Sequence, residues 1–159
     1  SGLVGQAVAA RLAALPGIDV LATARDAARL ASVRSGGAAA LDVTDADAVE
    51  RAFEDFAPRV VVHCAGTAQV EACERDREAC WALNVGAAAA LAAACRRHGA
   101  RLVLLSTDFV FDGADGPYAE SDRPAPTGTY GRTKLAAENA LRASRLTQWA
   151  TVRTTLVLG

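Results

Sequence analysis

The 159-residue chain has no methionine, a single lysine (Lys134) among seventeen basic residues, and only 5% aromatic residues. Lysine and arginine number 17 against 18 for aspartate and glutamate, a formal net charge of -1. With no basic excess to neutralise phosphates, the composition argues against a nucleic-acid binder. So few aromatics also argue against stacking platforms for single strands. No apolar run approaches the roughly 18–20 residues of a membrane span; the Ala-rich stretch Val85–Cys95 is short and ends in Arg96, Arg97 and His98. No charged segment of a secretion signal is present, since the chain opens on Ser1-Gly2. The four cysteines (Cys64, Cys73, Cys80, Cys95) form no CxxC pair. They are expected to be free structural thiols of a cytoplasmic protein, with no disulfide and no metal.

What is present is apolar: 52% hydrophobic and 22% charged, enough for one domain with a sizeable core. The missing methionine, and a final segment Ala150–Gly159 that reads as a strand running into a glycine turn, lead to the expectation of a single domain, 1-159, truncated at both ends.

The apolar periodicity alternates between helix and strand. Leu3–Leu15 has helical spacing and stops at Pro16-Gly17; Ile18–Ala22 is a short strand. Asp26 caps a short helix, Ala27–Val33, which ends before Gly36-Gly37, and Ala39–Val43 is the next strand. Thr44 or Asp45 caps a helix through Phe56, stopped by Pro58. Val60–Cys64 is the clearest buried strand. A long helical region, Val70–Arg97, carries a break near Glu74–Arg77; Arg101–Ser106 is a strand and Phe109–Thr129 a loop. Tyr130–Ser144 is a helix and Trp149–Leu158 a strand. Strands alternating with helices, with near-continuous apolar strands, predict an α/β fold: a Rossmann-like, doubly wound parallel sheet covered on both faces.

Three clusters point to chemistry. Gly2-Leu3-Val4-Gly5 leads directly into a helix, where glycines let a backbone approach a pyrophosphate and the helix N-terminus offers free N–H groups. The strand and first glycine of a full dinucleotide fingerprint would lie before residue 1. About 20 residues on, where the ribose of a dinucleotide is discriminated, stands Arg25, suited to the 2′-phosphate of NADP. Asp26 follows it and keeps NAD open. Tyr130 and Lys134 stand four apart on one helix face, and a cation there lowers the pKa of a phenol. A lone ammonium in a chain that otherwise uses arginine suggests a role that a planar guanidinium cannot fill. Ser106-Thr107-Asp108 ends a strand, and ligands of open α/β sheets bind at the carboxyl ends of strands.

These residues, with Asp42-Val43, Cys64-Ala65-Gly66 and Asn84-Val85, resemble an extended short-chain dehydrogenase/reductase. Ser106-Thr107-Asp108-Phe109-Val110-Phe111-Asp112-Gly113, followed by Pro117-Tyr118, Pro124-x-Pro126 and Tyr130-Gly131-x-x-Lys134, is similar to the dTDP-4-dehydrorhamnose reductase branch. The resemblance implies a catalytic triad of Thr107, Tyr130 and Lys134, with Asn84 at a supporting position. It implies cofactor contacts from Gly2, Leu3, Val4, Gly5, Arg25, Asp42, Val43, Cys64, Ala65, Gly66, Ser106, Tyr130 and Lys134, and substrate contacts from Thr107, Asp108 and Phe109. The implied cofactor is NADP(H), with NAD(H) open; the implied partner is a nucleotide sugar, and a homodimer is left open. Ala65-Gly66-Thr67 departs from the family's Ala-Ala-aromatic, and the family's C-terminal substrate portion is missing. Two alternatives stand beside a reductase: a nucleotide-sugar epimerase or dehydratase, and a regulatory subunit resembling the β-subunit of methionine adenosyltransferase.

Overall fold

A computed structural model describes residues 2–30, 37–155 and 157. Helix α1 (Leu3–Ala13) leads to strand β1 (Leu21–Ala24), a 3₁₀ turn (Ala27–Leu30) and β2 (Gly37–Ala40). Helix α2 (Ala46–Phe56) follows, its first turn capped by the Asp45 carboxylate, which accepts from Asp47 N and Ala48 N. Then come β3 (Val60–His63), α3 (Val70–Arg75) and α4 (Arg77–Trp81). A π-helical turn (Ala82–Gly86) runs into α5 (Ala87–His98), which ends at Gly99 in the left-handed region. Strand β4 (Arg101–Thr107), a second 3₁₀ turn (Asp108–Val110), α6 (Thr129–Ala143) and β5 (Trp149–Thr154) complete the order. The expected ends at Val33, Gly36 and Leu158, and Ser1 of the glycine turn, lie outside the described residues.

The alternation expected from the sequence is present, and every strand pair is parallel. The core forms where α2, α5 and α6 bury against β4: Val49, Phe53, Leu91, Leu102, Leu104 and Leu141 pack with the alanines of α5. Alanine removes bulk on the buried face of α5, so the helix approaches the sheet closely.

Three expectations are corrected. First, the described strands pair in two parallel blocks, β2-β1 and β3-β4-β5, and this bears on β3, expected to be buried. A cleft of about 1040 Å³ separates β1 from β3 and is lined by residues of both, including Leu21 and Val60. In consequence β3 is an edge strand among the described residues, with Val60 51% and Val62 36% exposed rather than buried. Second, the π turn joins α4 to α5, so that Arg77–His98 is a continuous 22-residue helix of mean hydropathy 1.4 in its most apolar window, long and apolar enough to cross a membrane by length and composition. Here its apolar face is spent on the core, with Ala88, Leu91, Ala92 and Cys95 buried. Third, Cys73 and Cys80 form a disulfide rather than free thiols. On an uninterrupted helix residues seven apart would stand about 10 Å from each other. The chain breaks at Asp76, whose φ of -132° and ψ of 83° are not helical, and brings the two Cα atoms to 5.2 Å, within bonding range. Cys64 and Cys95 remain free.

Alkylation in denaturant without reductant is therefore expected to label two thiols, and four after reduction. Labelling of all four without reductant would restore the free-thiol reading. Reduction opens this short loop and is expected to cost roughly 2 kcal/mol of stability.

Candidate functional site

Helix α6 places Tyr130 and Lys134 on one face, and that face lies on the C-terminal half of β4. Lys134 is 8% exposed, and its Nζ donates to Leu105 O at 2.6 Å. At the end of the same strand stands Thr107, near enough to the Tyr130 phenol to work against the burial that raises its pKa. Its Oγ1 also accepts from Phe109 N at 3.2 Å and lies 3.1 Å from the Asp108 carboxylate. Gly131 makes this approach possible. A Cβ there would collide with the backbone carbonyl of Phe109, so only glycine lets the strand's exit turn sit on the helix. The Phe109 ring meets the Tyr130 ring edge-on at 5.7 Å.

The electrostatics correct one expectation. Tyr130 is not lowered by Lys134: burial raises its pKa, against the Thr107 hydrogen bond, and Asp108 raises it further. The ammonium is engaged with the Leu105 carbonyl, so the spacing gives proximity without directing the charge at the phenol. Burial lowers the Lys134 pKa, opposed by the Glu138 carboxylate one turn along α6.

Two elements outside the expected site hold α6 in place. Gly128, its N-cap, makes no side-chain capping bond. Instead Glu74 of α3 accepts from Thr129 N at 2.6 Å and from Thr129 Oγ1 at 2.8 Å, satisfying an amide that the helix leaves open. Asn84, in the π turn, donates to Thr133 Oγ1 (2.9 Å) and Thr67 O (3.2 Å) and accepts from Thr67 N (2.8 Å). A Cβ at Gly66 would stand 2.9 Å from Asn84 Oδ1, so this turn also requires glycine.

The expected residues fall into two groups, with four residues outside both. Gly2, Gly5, Arg25, Val43, Cys64, Ala65 and Gly66 line the cleft between the sheets. Gly2 is the N-cap of α1; Arg25 is exposed just beyond β1. Leu3, Val4, Asp42 and Ser106 are not on the cleft wall. Asp42 is held below the usual carboxylate range by hydrogen bonds from Thr44, with a smaller contribution from Arg25. Ser106 turns its hydroxyl to Glu138 at 2.6 Å. Thr107, Asp108, Phe109, Tyr130 and Lys134 form the second group, and Lys134 acts electrostatically on His63 and Cys64 at the cleft end.

The sequence reading missed His63, Glu74 and Glu138. Glu138 had a signal, since it stands four residues after Lys134 and eight after Tyr130. Glu74 had none, because its partner lies 55 residues away.

The sequence model of one family, described as RmlD substrate binding domain, matches residues 1–159. The chain belongs to this family. It is 41% identical over 106 residues to methionine adenosyltransferase 2 subunit beta of Rattus norvegicus, covering 67% of this chain and 32% of that protein. It is 41% identical over 121 residues to dTDP-4-dehydrorhamnose reductase of Mycobacterium tuberculosis, covering 73% and 39%. A crystal structure of dTDP-4-dehydrorhamnose reductase from Bacillus anthracis in complex with NADP superposes with a TM-score of 0.71 at 30% identity, covering 76% of this chain and 45% of that one. The chain thus spans about a third of the length of these curated relatives.

His63 supplies a test of this geometry. It is buried, and burial with the nearby Lys134 charge lowers its pKa to about 4. The unfolded chain takes up this proton near pH 6.5 and the folded one only near 4, so stability falls as pH drops through that window, by about 3 kcal/mol. Denaturant melts at pH 4.5 and 7 are expected to show this loss in the wild type and most of it gone in His63→Asn. An equal acid loss in both would place the ring in solvent.

Proposed function

We propose that this chain is the cofactor-binding and proton-donating part of an NADP(H)-dependent reductase acting on the keto group of a nucleotide-linked 4-keto-6-deoxy sugar. The observation that carries the reading is the seating of α6 on the end of β4, which sets Tyr130 beside the strand end at Thr107 with the Lys134 ammonium buried one turn along the same helix. The reductase relatives support the substrate class.

The residues present fit a dinucleotide. The first turn of α1 has no side-chain cap, and its first backbone bond is Gln6 N to Gly2 O. The amides of Leu3, Val4 and Gly5 are thus open to a pyrophosphate. A Cβ at Gly2 would meet nothing within 4 Å, so there is room for one. Arg25 would take the 2′-phosphate, with Val43 toward the adenine and Cys64-Ala65-Gly66 along the trough.

Bound NADPH supplies the hydride. Thr107 and Tyr130 carry the two hydroxyls that would meet a substrate oxygen at the end of β4. Because burial raises the Tyr130 pKa, the phenol is protonated at neutral pH, the form a reduction requires of its acid. As the substrate oxygen gains charge, Tyr130 would give up its proton to it and Thr107 would keep the oxygen oriented, while the Lys134 ammonium stays tied to Leu105 O and holds α6 in place. A second reading, a subunit that binds a dinucleotide without turning over, is favoured by the 41% identity to the rat β-subunit.

With the full-length protein, NADPH and a dTDP-4-keto-6-deoxy sugar, Tyr130→Phe is expected to keep cofactor affinity and lose 10²–10⁴-fold in kcat, on the order of a lost general acid. Lys134→Arg is expected to lose both affinity and turnover, since a buried site built for one ammonium cannot seat a guanidinium. No turnover in the wild type with NADPH bound would favour the subunit reading. Arg25→Ala is expected to weaken NADPH selectively over NADH in a fluorescence titration. Equal weakening of both would remove Arg25 from the 2′-phosphate.

A further inference from the structure

The fully buried Glu138 is a carboxylate that the proposed chemistry does not use. Its Oε1 accepts from Ser106 Oγ at 2.6 Å and from Arg153 Nε at 3.0 Å. Its Oε2 accepts from Arg153 Nη2 at 2.7 Å and, at 3.4 Å, from Arg142 Nη2. Arg153 reaches onward: its Nη1 donates to Glu120 O at 3.4 Å, and its guanidinium lies 5.1 Å from the centre of the Phe111 ring, itself stacked on Tyr118. One side chain therefore joins α6, β4, β5 and the loop after β4.

The placement relative to the site is specific. Tyr130, Lys134 and Glu138 succeed one another at four-residue steps along α6, on one side of the helix. Lys134 is tied to Leu105 O and Glu138 to Ser106 Oγ, adjacent residues of β4. The next residue on that strand is Thr107. A shift of α6 along β4 would have to break both ties before it could part Tyr130 from Thr107.

Resting on the reductase reading, we propose that Glu138 is a positioning residue for the Tyr130–Lys134 pair: it fixes α6 on β4 through Ser106 and Arg153, and its charge keeps the buried Lys134 an ammonium. The groups around Lys134 support this assignment. From β3 it faces His63, neutral because burial lowers its pKa to about 4. Just beyond that strand is Cys64, whose thiol is raised by burial and stays protonated. From α6 it faces Tyr130, also raised, and from the turn after β4 comes Asp108, exposed and acting on Tyr130. Arg153 of β5 and Arg142 of α6 are cations that bind Glu138 itself. Glu138 is the anion that raises Lys134 most among these described groups, and although burial works to raise its own pKa, Arg153 and Ser106 outweigh this and hold it ionised.

The test is the pH profile of kcat/KM in the full-length protein with NADPH and the keto sugar, alongside thermal melts. Glu138→Gln keeps the shape and removes the charge. Lys134 then loses its counter-charge and titrates at lower pH, so the alkaline limb is expected to move down by about one pH unit or more, with kcat reduced about tenfold. A purely structural role would lower the folded fraction and leave that limb in place, which would overturn the proposal. Ser106→Ala removes the tether and keeps the charge, so kcat is expected to fall several-fold with the limb unmoved. Wild-type kcat in Ser106→Ala overturns the tether even if Glu138→Gln does not fold. Tyr130→Phe in the same assay separates the two levels: if it turns over normally, the underlying reductase reading fails. If it is inactive while the Glu138→Gln limb stays put, only the role of Glu138 fails.

Discussion

Burying the Lys134 ammonium is the constraint around which this fold is arranged. Removing such a charge from water costs several kcal/mol unless a partner repays it. The Leu105 carbonyl and the Glu138 carboxylate do so, from a strand and from the same helix. The Leu105 bond requires α6 to lie on the C-terminal half of β4, and that is also where Gly131 admits the Phe109 backbone. Once the helix is seated, Thr107 arrives at Tyr130 without any further device. An arginine at this position would bring five donors into a site that offers one carbonyl and one already occupied carboxylate. The single lysine of an arginine-rich chain has a steric and hydrogen-bonding explanation.

The N-terminal half of α6 depends on a different set of bonds. Its N-cap glycine contributes no side chain, and Glu74 reaches over from α3 to satisfy Thr129. Asn84 holds Thr133 from the π turn, a type of helix irregularity that often accompanies functional sites. The same Asn84 amide binds Thr67 just beyond Cys64-Ala65-Gly66, so the cleft wall and the helix of Tyr130 are referenced to one side chain. The disulfide bridges α3 and α4 between these two anchors and limits how far Glu74 and Asn84 can drift apart.

What the sequence disclosed, and what it did not, follows the range of each interaction. The Asp45 cap, the break near Asp76 and the shared face of Tyr130 and Lys134 depend on residues within a few positions, and pattern reading finds them. The exposure of Val60 and Val62 does not, because an apolar run such as Val60–Cys64 carries no record of which strands flank it. The Cys73–Cys80 spacing looks too long for a bridge until the backbone angles at Asp76 are known. Spacing likewise puts Lys134 near Tyr130 but leaves open which way the ammonium points; it is tied to Leu105 O, and burial raises the phenol's pKa instead. Glu138 lay in plain view at the next four-residue step, but its partners Ser106 and Arg153 become neighbours only through the pairing of β4 with β5, where the two residues are in register.

On the proposed reductase reading, the charge distribution that results would favour one direction of proton transfer. Around Lys134, His63, Cys64 and Tyr130 are all held neutral by burial. The Glu138 carboxylate is taken up by Ser106, Arg153 and Arg142. An oxygen becoming negative beside Thr107 and Tyr130 would therefore meet two protonated hydroxyls. The nearby competing anion, Asp108, is exposed, where water and salt screen it. A phenol in such surroundings yields its proton only when a new negative charge forms next to it, and the raised Tyr130 pKa expresses that reluctance in the resting state.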